Sequence, residues 1–191
     1  MIEKLSLLIK VTRSRGIIRR YFVVNGFDGA LTMLGLATGF RISGDTSTSV
    51  MISVCFGASV ALGVSGLTSA YLSESAERQK ELQDLEQAMS ADLADTAHGT
   101  AARLIPLVIA LVNGLAPLTI ALIIITPLWL DQAGLGLPWP PLDSVIVLAF
   151  TVIFFLGVFL GRVSGEFWLK SGVRTILIAL ATAAIIFILR M

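Results

Sequence analysis

The sequence predicts an all-α integral membrane protein, a bundle of five membrane-spanning helices. Of its 191 residues, 55% are hydrophobic and only 14% are charged, whereas soluble domains average about 25% charged residues. Several apolar runs reach about 20 residues, the length that an α-helix needs to cross the hydrocarbon core of a bilayer. Lys and Arg residues concentrate in alternate connections between these runs, which is typical of a multi-pass protein.

Residues 1–20 precede the first apolar run and mix apolar with basic side chains. Ile2 and Leu5 lie close to Lys4 and Lys10 at roughly helical spacing, and Arg residues follow. This pattern predicts an amphipathic helix on the inner surface of the membrane. A disordered basic tail is the alternative, because a glycine at position 16 interrupts the pattern.

The first two spans are predicted within residues 21–70. Span 1 covers about 22–41, span 2 covers about 49–71, and a short polar turn joins them. Span 2 is rich in Gly, Ala and Ser, and small residues let helix backbones approach closely in lipid. We therefore expect span 2 to lie in the middle of the bundle.

Residues 71–103 are predicted to form a cytosolic, acidic, helical extension of span 2 that ends in a turn. No Gly or Pro interrupts the chain between Tyr71 and Gly99, and good helix formers such as Glu, Gln, Leu and Ala dominate. Span 2 is therefore expected to continue into the cytosol as one helix, with the turn at Ala97–Thr100.

Residues 104–191 are predicted to hold spans 3–5, at about 104–130, 144–161 and 173–190. In span 3, Pro117 and Pro127 are expected to kink or locally open the helix. Twelve of the fourteen Lys and Arg residues lie in the N-terminal segment, the 71–103 link and the 162–174 link. This asymmetry predicts that the N-terminus lies inside and the C-terminus outside.

Asp28 is the candidate functional residue of span 1. It lies eight residues past Arg20, about 12 Å along a helix, where an ionised carboxylate costs roughly 2.5–3.5 kcal/mol or more. Asn25 lies one helical turn earlier, and the glycines at 26 and 29 are expected to leave the backbone locally open. Carboxylate, amide and carbonyl oxygens suit a divalent cation or a proton. The alternative is a structural ion pair between Asp28 and Arg19 or Arg20.

A second candidate cluster comprises four acids of the cytosolic extension. Glu74, Glu77, Glu81 and Asp84 are spaced by three, four and three residues, which places them on one face of a helix. Such a face can collect a metal ion against a neighbouring helix or a second copy. The alternative is a solvated face with internal ion pairs.

Other classes of function find little support. The chain contains no HExxH, GxSxG, P-loop or CxxC motif, and its single histidine, His98, is expected in a turn, so an enzyme is disfavoured. A net charge of +1 favours no nucleic-acid partner. No bound cofactor is expected, and the lipid bilayer is the evident surrounding.

Two stretches resemble the vacuolar iron transporter family, the carriers of divalent iron and manganese. The segment Arg19–Gly29, RRYFVVNGFDG, resembles the Arg, Val-x-Gly and Asp-Gly pattern that opens the first span of the family. The segment Ser65–Glu81, SGLTSAYLSESAERQKE, resembles the family's S-M-x-x-G-E-Y-L-S-x-x-x-Q-x-E run. The last three predicted spans follow the family in layout.

The resemblance implies a homodimeric transporter of a divalent cation such as Fe²⁺ or Mn²⁺. The ion would pass along the dimer interface beside Asp28 and leave the cytosol, possibly in exchange for protons, while the acids after span 2 bind metal on the cytosolic side. In a prokaryote, such a multi-pass protein resides in the plasma membrane.

Two departures from the family pattern affect this function. Gly66 replaces the family's methionine, and Ala70 replaces its glutamate, so that two expected ligands are absent. The alternative function is therefore a membrane scaffold, or partner-binding protein, that kept the fold and lost part of the metal site.

Overall fold

Six α-helices make up nearly all of the described chain. The computed structural model describes residues 15–44, 46–136 and 138–189, and no strand occurs in these ranges. A surface helix is predicted over residues 1–20. Its first 14 residues lie outside the described residues, and residues 15–20 belong to the first described helix. The helices are α1 (Arg15–Ser43), α2 (Thr48–Met89), α3 (Ala97–Ile124), α4 (Thr126–Gln132), α5 (Pro141–Ser164) and α6 (Trp168–Leu189).

Four of these helices are long and apolar enough to cross a membrane, namely α2, α3, α5 and α6. Their surfaces expose large apolar side chains, such as Val64 on α2 and Phe187 on α6, and patches of that kind need lipid or a protein partner as cover. The chain is therefore an all-α, multi-pass membrane protein. Helix α1, which contains the predicted span 1, has 29 residues but is not among the four.

Helix α2 is a single helix of 42 residues, about 63 Å long at 1.5 Å per residue. The prediction that span 2 continues without a break into the charged segment is confirmed. The helix ends at Met89, and Ser90 follows with a left-handed φ of 49°.

The prediction of a turn at Ala97–Thr100 is wrong, because these residues form the first turn of α3. The chain reverses at residues 90–96 instead, where the backbone N–H of Leu93 donates to a Glu86 carboxylate oxygen at 2.9 Å. The Thr96 hydroxyl accepts a hydrogen bond from the His98 N–H at 3.2 Å and so caps α3. Gly99 permits close packing, since a Cβ there would lie 2.6 Å from the carbonyl oxygen of Leu93.

The predicted third span is divided in two by a break at Ile125. Pro127 lies in the first turn of α4, the position at which a residue without a backbone N–H loses no helical hydrogen bond. One helix therefore ends and the next begins just before Pro127, and the prediction that this proline opens the helix is confirmed. Pro117, in contrast, lies inside α3, which continues through it as one helix.

The chain divides into two compact units, and α1, α2 and α3 each contribute to both. The first unit comprises Gly63–Leu115 and the described residues up to Asn25, and the second comprises Gly26–Leu62 and Ala116 onwards. In the first unit, the core is an apolar cluster that includes Ala70, Ile105 and Ile109.

The second unit has the larger core and positions α5 against α6. Met33, Ile124 and Ile153 are fully buried in it, and Arg41 at the end of α1 forms an ion pair of 3.1 Å with Asp143 on α5. A Cβ at Gly157 would collide with Thr175 of α6. The Gly157–Gly161 pair therefore packs two helices of one chain together.

Candidate functional site

Asp28 lies on α1 in the second unit, and its side chain is exposed on the surface of the single chain. Only its backbone is engaged, as the acceptor of a 2.7 Å hydrogen bond from the Thr32 hydroxyl. The ion pairs found among the described residues are Arg41–Asp143, Arg78–Glu74 and Arg78–Glu81. The Asp28 carboxylate therefore has no described basic partner, and the alternative of an ion pair with Arg19 or Arg20 is not observed.

The glycines beside Asp28 serve packing, and the expectation of an open backbone is wrong. Helix α1 is unbroken from Arg15 to Ser43, so its carbonyl groups there belong to the helical hydrogen-bond ladder. A Cβ at Gly29 would lie 2.6 Å from the carbonyl oxygen of Pro117. The small residue is thus required by the close approach of α3 to this face of α1.

Asn25 lies in the first unit and connects two helices. Its side-chain amide group donates to the Tyr21 carbonyl oxygen at 3.0 Å and to the side-chain oxygen of Asn113 on α3. Asn113 is 4% exposed, and its own amide group donates to the Gly66 carbonyl oxygen at 2.5 Å. The amide donors of Asn25 therefore hold α1 against α3, and no described hydrogen bond involves its side-chain oxygen.

The position of the family's methionine is closely packed in this chain. A Cβ at Gly66 would lie 2.9 Å from the Asn113 carbonyl oxygen, and one at Gly114 would lie 2.6 Å from the Gly63 carbonyl oxygen. Ala70, which replaces the family's glutamate, is 2% exposed within the apolar cluster of the first unit. Close contact between α2 and α3 therefore occupies both positions at which the resemblance implies metal ligands.

The four acids predicted as a second cluster, all on the charged part of α2, do not share one environment. Glu77, Glu81 and Asp84 are exposed, whereas Glu74 is buried at 3% exposure. Among the described residues, no group of three or more His, Cys, Asp or Glu side chains is arranged to hold a metal ion. The described part of one chain therefore provides no closed metal site. Three of the four acids are nevertheless exposed on α2, and one of them, Glu81, pairs with Arg78 at 2.7 Å.

Two residues contact Glu74: Arg78, in line with the alternative of internal ion pairs on this face, and Tyr21, which the sequence does not indicate. The Tyr21 hydroxyl donates to one Glu74 carboxylate oxygen at 3.2 Å, and Arg78 approaches the other at 3.8 Å while it pairs more closely with Glu81 at 2.7 Å. The four-residue spacing of Glu74 and Arg78 is a detectable helical pair. The contact with Tyr21 spans 53 residues and leaves no local signal.

A cavity of about 240 Å³ lies beside this pair in the first unit. Arg78, Glu81 and His98 provide its polar lining, and His98 is exposed on the first turn of α3. The His98 imidazole and the Glu81 carboxylate therefore line the same cavity. The Arg78 guanidinium lines it as well and is already paired with Glu74 and Glu81.

Comparisons with known proteins find one distant relative. The chain is 27% identical over 173 residues to an uncharacterized protein of Methanocaldococcus jannaschii, a match that covers 89% of this chain and 87% of the relative. No family model matches the chain, and no solved structure matches it. The likeness extends along most of both proteins and carries no functional description.

Proposed function

We propose that this protein is a homodimeric carrier of the vacuolar iron transporter type that moves Fe²⁺ or Mn²⁺ out of the cytosol in exchange for protons. The observation that carries the proposal is the Asp28 carboxylate, which lies on a long helix of mainly apolar residues and has no described hydrogen-bond or ion-pair partner. In lipid, an acid of this kind requires compensation. A cation that passes through the membrane supplies it.

The proposal requires α1 to be a fifth span, with the N-terminus inside. Between Arg20 and Arg41, Asn25 and Asp28 are the most polar residues of α1 (Arg15–Ser43). A helix that carries polar groups can cross a membrane when those groups face a protein partner or a water-filled path. The same two residues that make α1 less apolar than the other spans are those to which the proposal assigns the ion.

A second copy of the chain is the partner that the proposal assigns to the exposed side of Asp28. A single carboxylate supplies two oxygen ligands, whereas divalent cations such as Ca²⁺ and Mg²⁺ take six or more. A two-fold interface uses the same surface patch on both copies, so an Asp28 next to the axis meets the Asp28 of the second copy and doubles the carboxylate ligands. The side-chain oxygens of the two Asn25 residues are further candidate ligands. Water molecules complete the coordination.

The acids of α2 are assigned the recruitment of the ion from the cytosol. Glu77, Glu81 and Asp84 are exposed and lie on one helix, and a concentration of like charge raises the local concentration of the opposite ion. Glu74 lies on the same face and can join them if the metal displaces Arg78. This displacement would exchange a buried ion pair for metal ligation.

A membrane scaffold is the second candidate, and the packing of α2 favours it. The positions of the family's methionine and glutamate hold Gly66 and Ala70, both in close contact with other helices. A scaffold needs neither metal ligands nor a path through the membrane. It would also leave Asp28 without a role in transport.

Metal flux into liposomes separates the two candidates. The purified full-length protein is reconstituted into vesicles that contain a metal-sensitive dye, and uptake of Fe²⁺ and Mn²⁺ is recorded under a pH gradient. We expect wild type to move at least one metal and Asp28→Asn to lose about a hundredfold in rate, because the charged ligand is replaced by a neutral one.

Asp95→Asn is the matched control, since Asp95 is exposed in the connection between α2 and α3. It changes the charge by the same amount and is expected to transport at the wild-type rate. Melting temperatures of both variants in detergent are expected to equal that of wild type, because neither acid has a described partner. If wild type moves neither metal and Asp28→Asn changes nothing, the scaffold is the correct function.

A further inference from the structure

The second unit contains a cavity of about 530 Å³ between α1, α5 and α6 that the proposed transport does not use. Helices α5 and α6 are both candidate spans, and only residues 165–167 join them. Their shared ends therefore lie at one surface of the membrane. Phe167 and Trp168 are exposed at this junction, which matches the aromatic belt found at the level of lipid headgroups.

The lining of the cavity changes from polar to apolar with distance from this junction. Ser171 and Arg174 lie close to the start of α6, and Ile178 follows one turn further along. On α5, Ser164 lies at the junction and Leu160 lies one turn, about 6 Å, deeper. A phospholipid has the same order of polarity, with a charged headgroup at the surface and acyl chains below it.

The polar end of the cavity contains two opposite charges that do not pair with each other. Arg174 and Glu166 both line it, and no ion pair or side-chain hydrogen bond involves either of them among the described residues. The Ser171 hydroxyl makes no described hydrogen bond either, although the residue is only 6% exposed. Thus a cation, an anion and a hydroxyl donor all remain available to a ligand.

We propose that this cavity binds one phospholipid whose headgroup carries both a phosphate and a primary ammonium group. Arg174 and the Ser171 hydroxyl donate hydrogen bonds to the phosphate oxygens, and Glu166 accepts hydrogen bonds from the ammonium group. An acyl chain lies along Leu160 and Ile178. A guanidinium next to phosphate gives a strong, charge-assisted contact, and a carboxylate at the same rim disfavours headgroups that bring only negative charge.

Native mass spectrometry of the full-length protein in detergent tests this proposal. Dioleoyl phosphatidylethanolamine, phosphatidylglycerol and phosphatidylcholine are added separately, and the fraction of protein that retains one lipid is measured. We expect wild type to retain phosphatidylethanolamine about tenfold more strongly than either of the others, the value of one charged hydrogen bond. Phosphatidylglycerol has no ammonium group, and phosphatidylcholine has no N–H to donate.

Two variants and a control assign the contacts. Arg174→Gln is expected to lose about tenfold in retention of phosphatidylethanolamine, whereas Glu166→Gln is expected to bind phosphatidylethanolamine and phosphatidylglycerol equally. Lys170→Gln removes a neighbouring exposed charge that does not line the cavity, and it should behave as wild type. The proposal is overturned if wild type does not distinguish the three lipids, or if Arg174→Gln and Glu166→Gln both retain phosphatidylethanolamine as wild type does.

Discussion

The side chains of Asp28 and Asn25 are only one helical turn apart on α1, but they differ in what they contact. The Asn25 amide group is engaged with Tyr21 and Asn113, whereas the Asp28 carboxylate has no described partner. Asn25 therefore contributes to holding α1 against α3. The Asp28 side chain makes no described contact that holds two helices together. Because its carboxylate is unpaired whereas the Asn25 amide group is engaged, Asp28 is assigned as the principal cation ligand.

Gly66 shows how a single missing side chain bears on function. The resemblance implies a methionine here, yet even a Cβ would lie 2.9 Å from the Asn113 carbonyl oxygen, closer than carbon and oxygen pack without strain. A methionine at this position is incompatible with the observed approach of α2 and α3. A carrier built on this chain must therefore bind its ion without a thioether ligand at this point.

We predict that Gly66→Ala destabilises the protein by about 1–3 kcal/mol, because the added methyl group overpacks the contact between α2 and α3. Gly57 on the same helix is the matched control, since a Cβ there would meet nothing within 4 Å. Gly57→Ala is expected to be neutral or stabilising by up to about 1 kcal/mol. Unfolding in mixed micelles measures both variants. Equal stability of the two would contradict the observed packing.

At the scale of elements, the connection between α2 and α3 sets where the charged extension of α2 ends. Glu86 and Thr96 accept hydrogen bonds from backbone N–H groups at 2.9 and 3.2 Å. The extension is thus a continuous helix, closed by a seven-residue turn with side-chain caps.

We predict that Thr96→Ala weakens the start of α3 by about 1 kcal/mol, the typical cost of a lost N-cap. Hydrogen exchange of the amides in the first turn of α3 measures the effect, and faster exchange at His98 is the expected sign. Thr100→Ala is the control, since Thr100 is exposed on the same helix and no described hydrogen bond involves its hydroxyl. If the two variants exchange alike, Thr96 does not cap the helix.

The sequence predicts the long helices well and the contacts between them poorly. The length of α2 can be predicted because no Gly or Pro lies between Tyr71 and Gly99. The break before Pro127 can be predicted because proline lacks the backbone N–H that a helix interior needs. The sequence misplaces the turn because glycine is a poor helix former, whereas in the structure Gly99 lies in the first turn of α3 and permits close packing. The contact of Tyr21 with Glu74 could not be predicted, since only the fold brings residues so distant in sequence together.

At the scale of the whole molecule, the number of spans depends on α1. Among the described residues, helices α2, α3, α5 and α6 are long and apolar enough to cross a membrane, which allows four crossings. With α1 as a fifth, the N-terminus lies on the same side as the connection between α2 and α3. Without it, the N-terminus lies on the opposite side, and Asp28 would not be inside the membrane.

We predict that cysteines at Gly16 and Ser90 are protected from a membrane-impermeant maleimide in intact cells, whereas one at Ser43 is labelled. Cys55 is the single native cysteine and is buried, so Cys55→Ala provides the background for Gly16→Cys, Ser43→Cys and Ser90→Cys. Permeabilised cells, in which all three positions react, are the control. Labelling of both Gly16→Cys and Ser43→Cys in intact cells would mean that α1 does not cross the membrane.

Binding of Mn²⁺ to the reconstituted protein tests most directly whether the Asp28 carboxylate meets a cation. Electron paramagnetic resonance distinguishes free from bound Mn²⁺, and titration gives the number of ions per chain. The acids of α2 are first neutralised by Glu74→Gln, Glu77→Gln, Glu81→Gln and Asp84→Asn, so that the recruitment cluster no longer contributes to binding. We expect one bound ion for every two chains, and its loss on adding Asp28→Asn. Unchanged binding in that variant, or no binding before it, would contradict the assignment of Asp28 as a cation ligand.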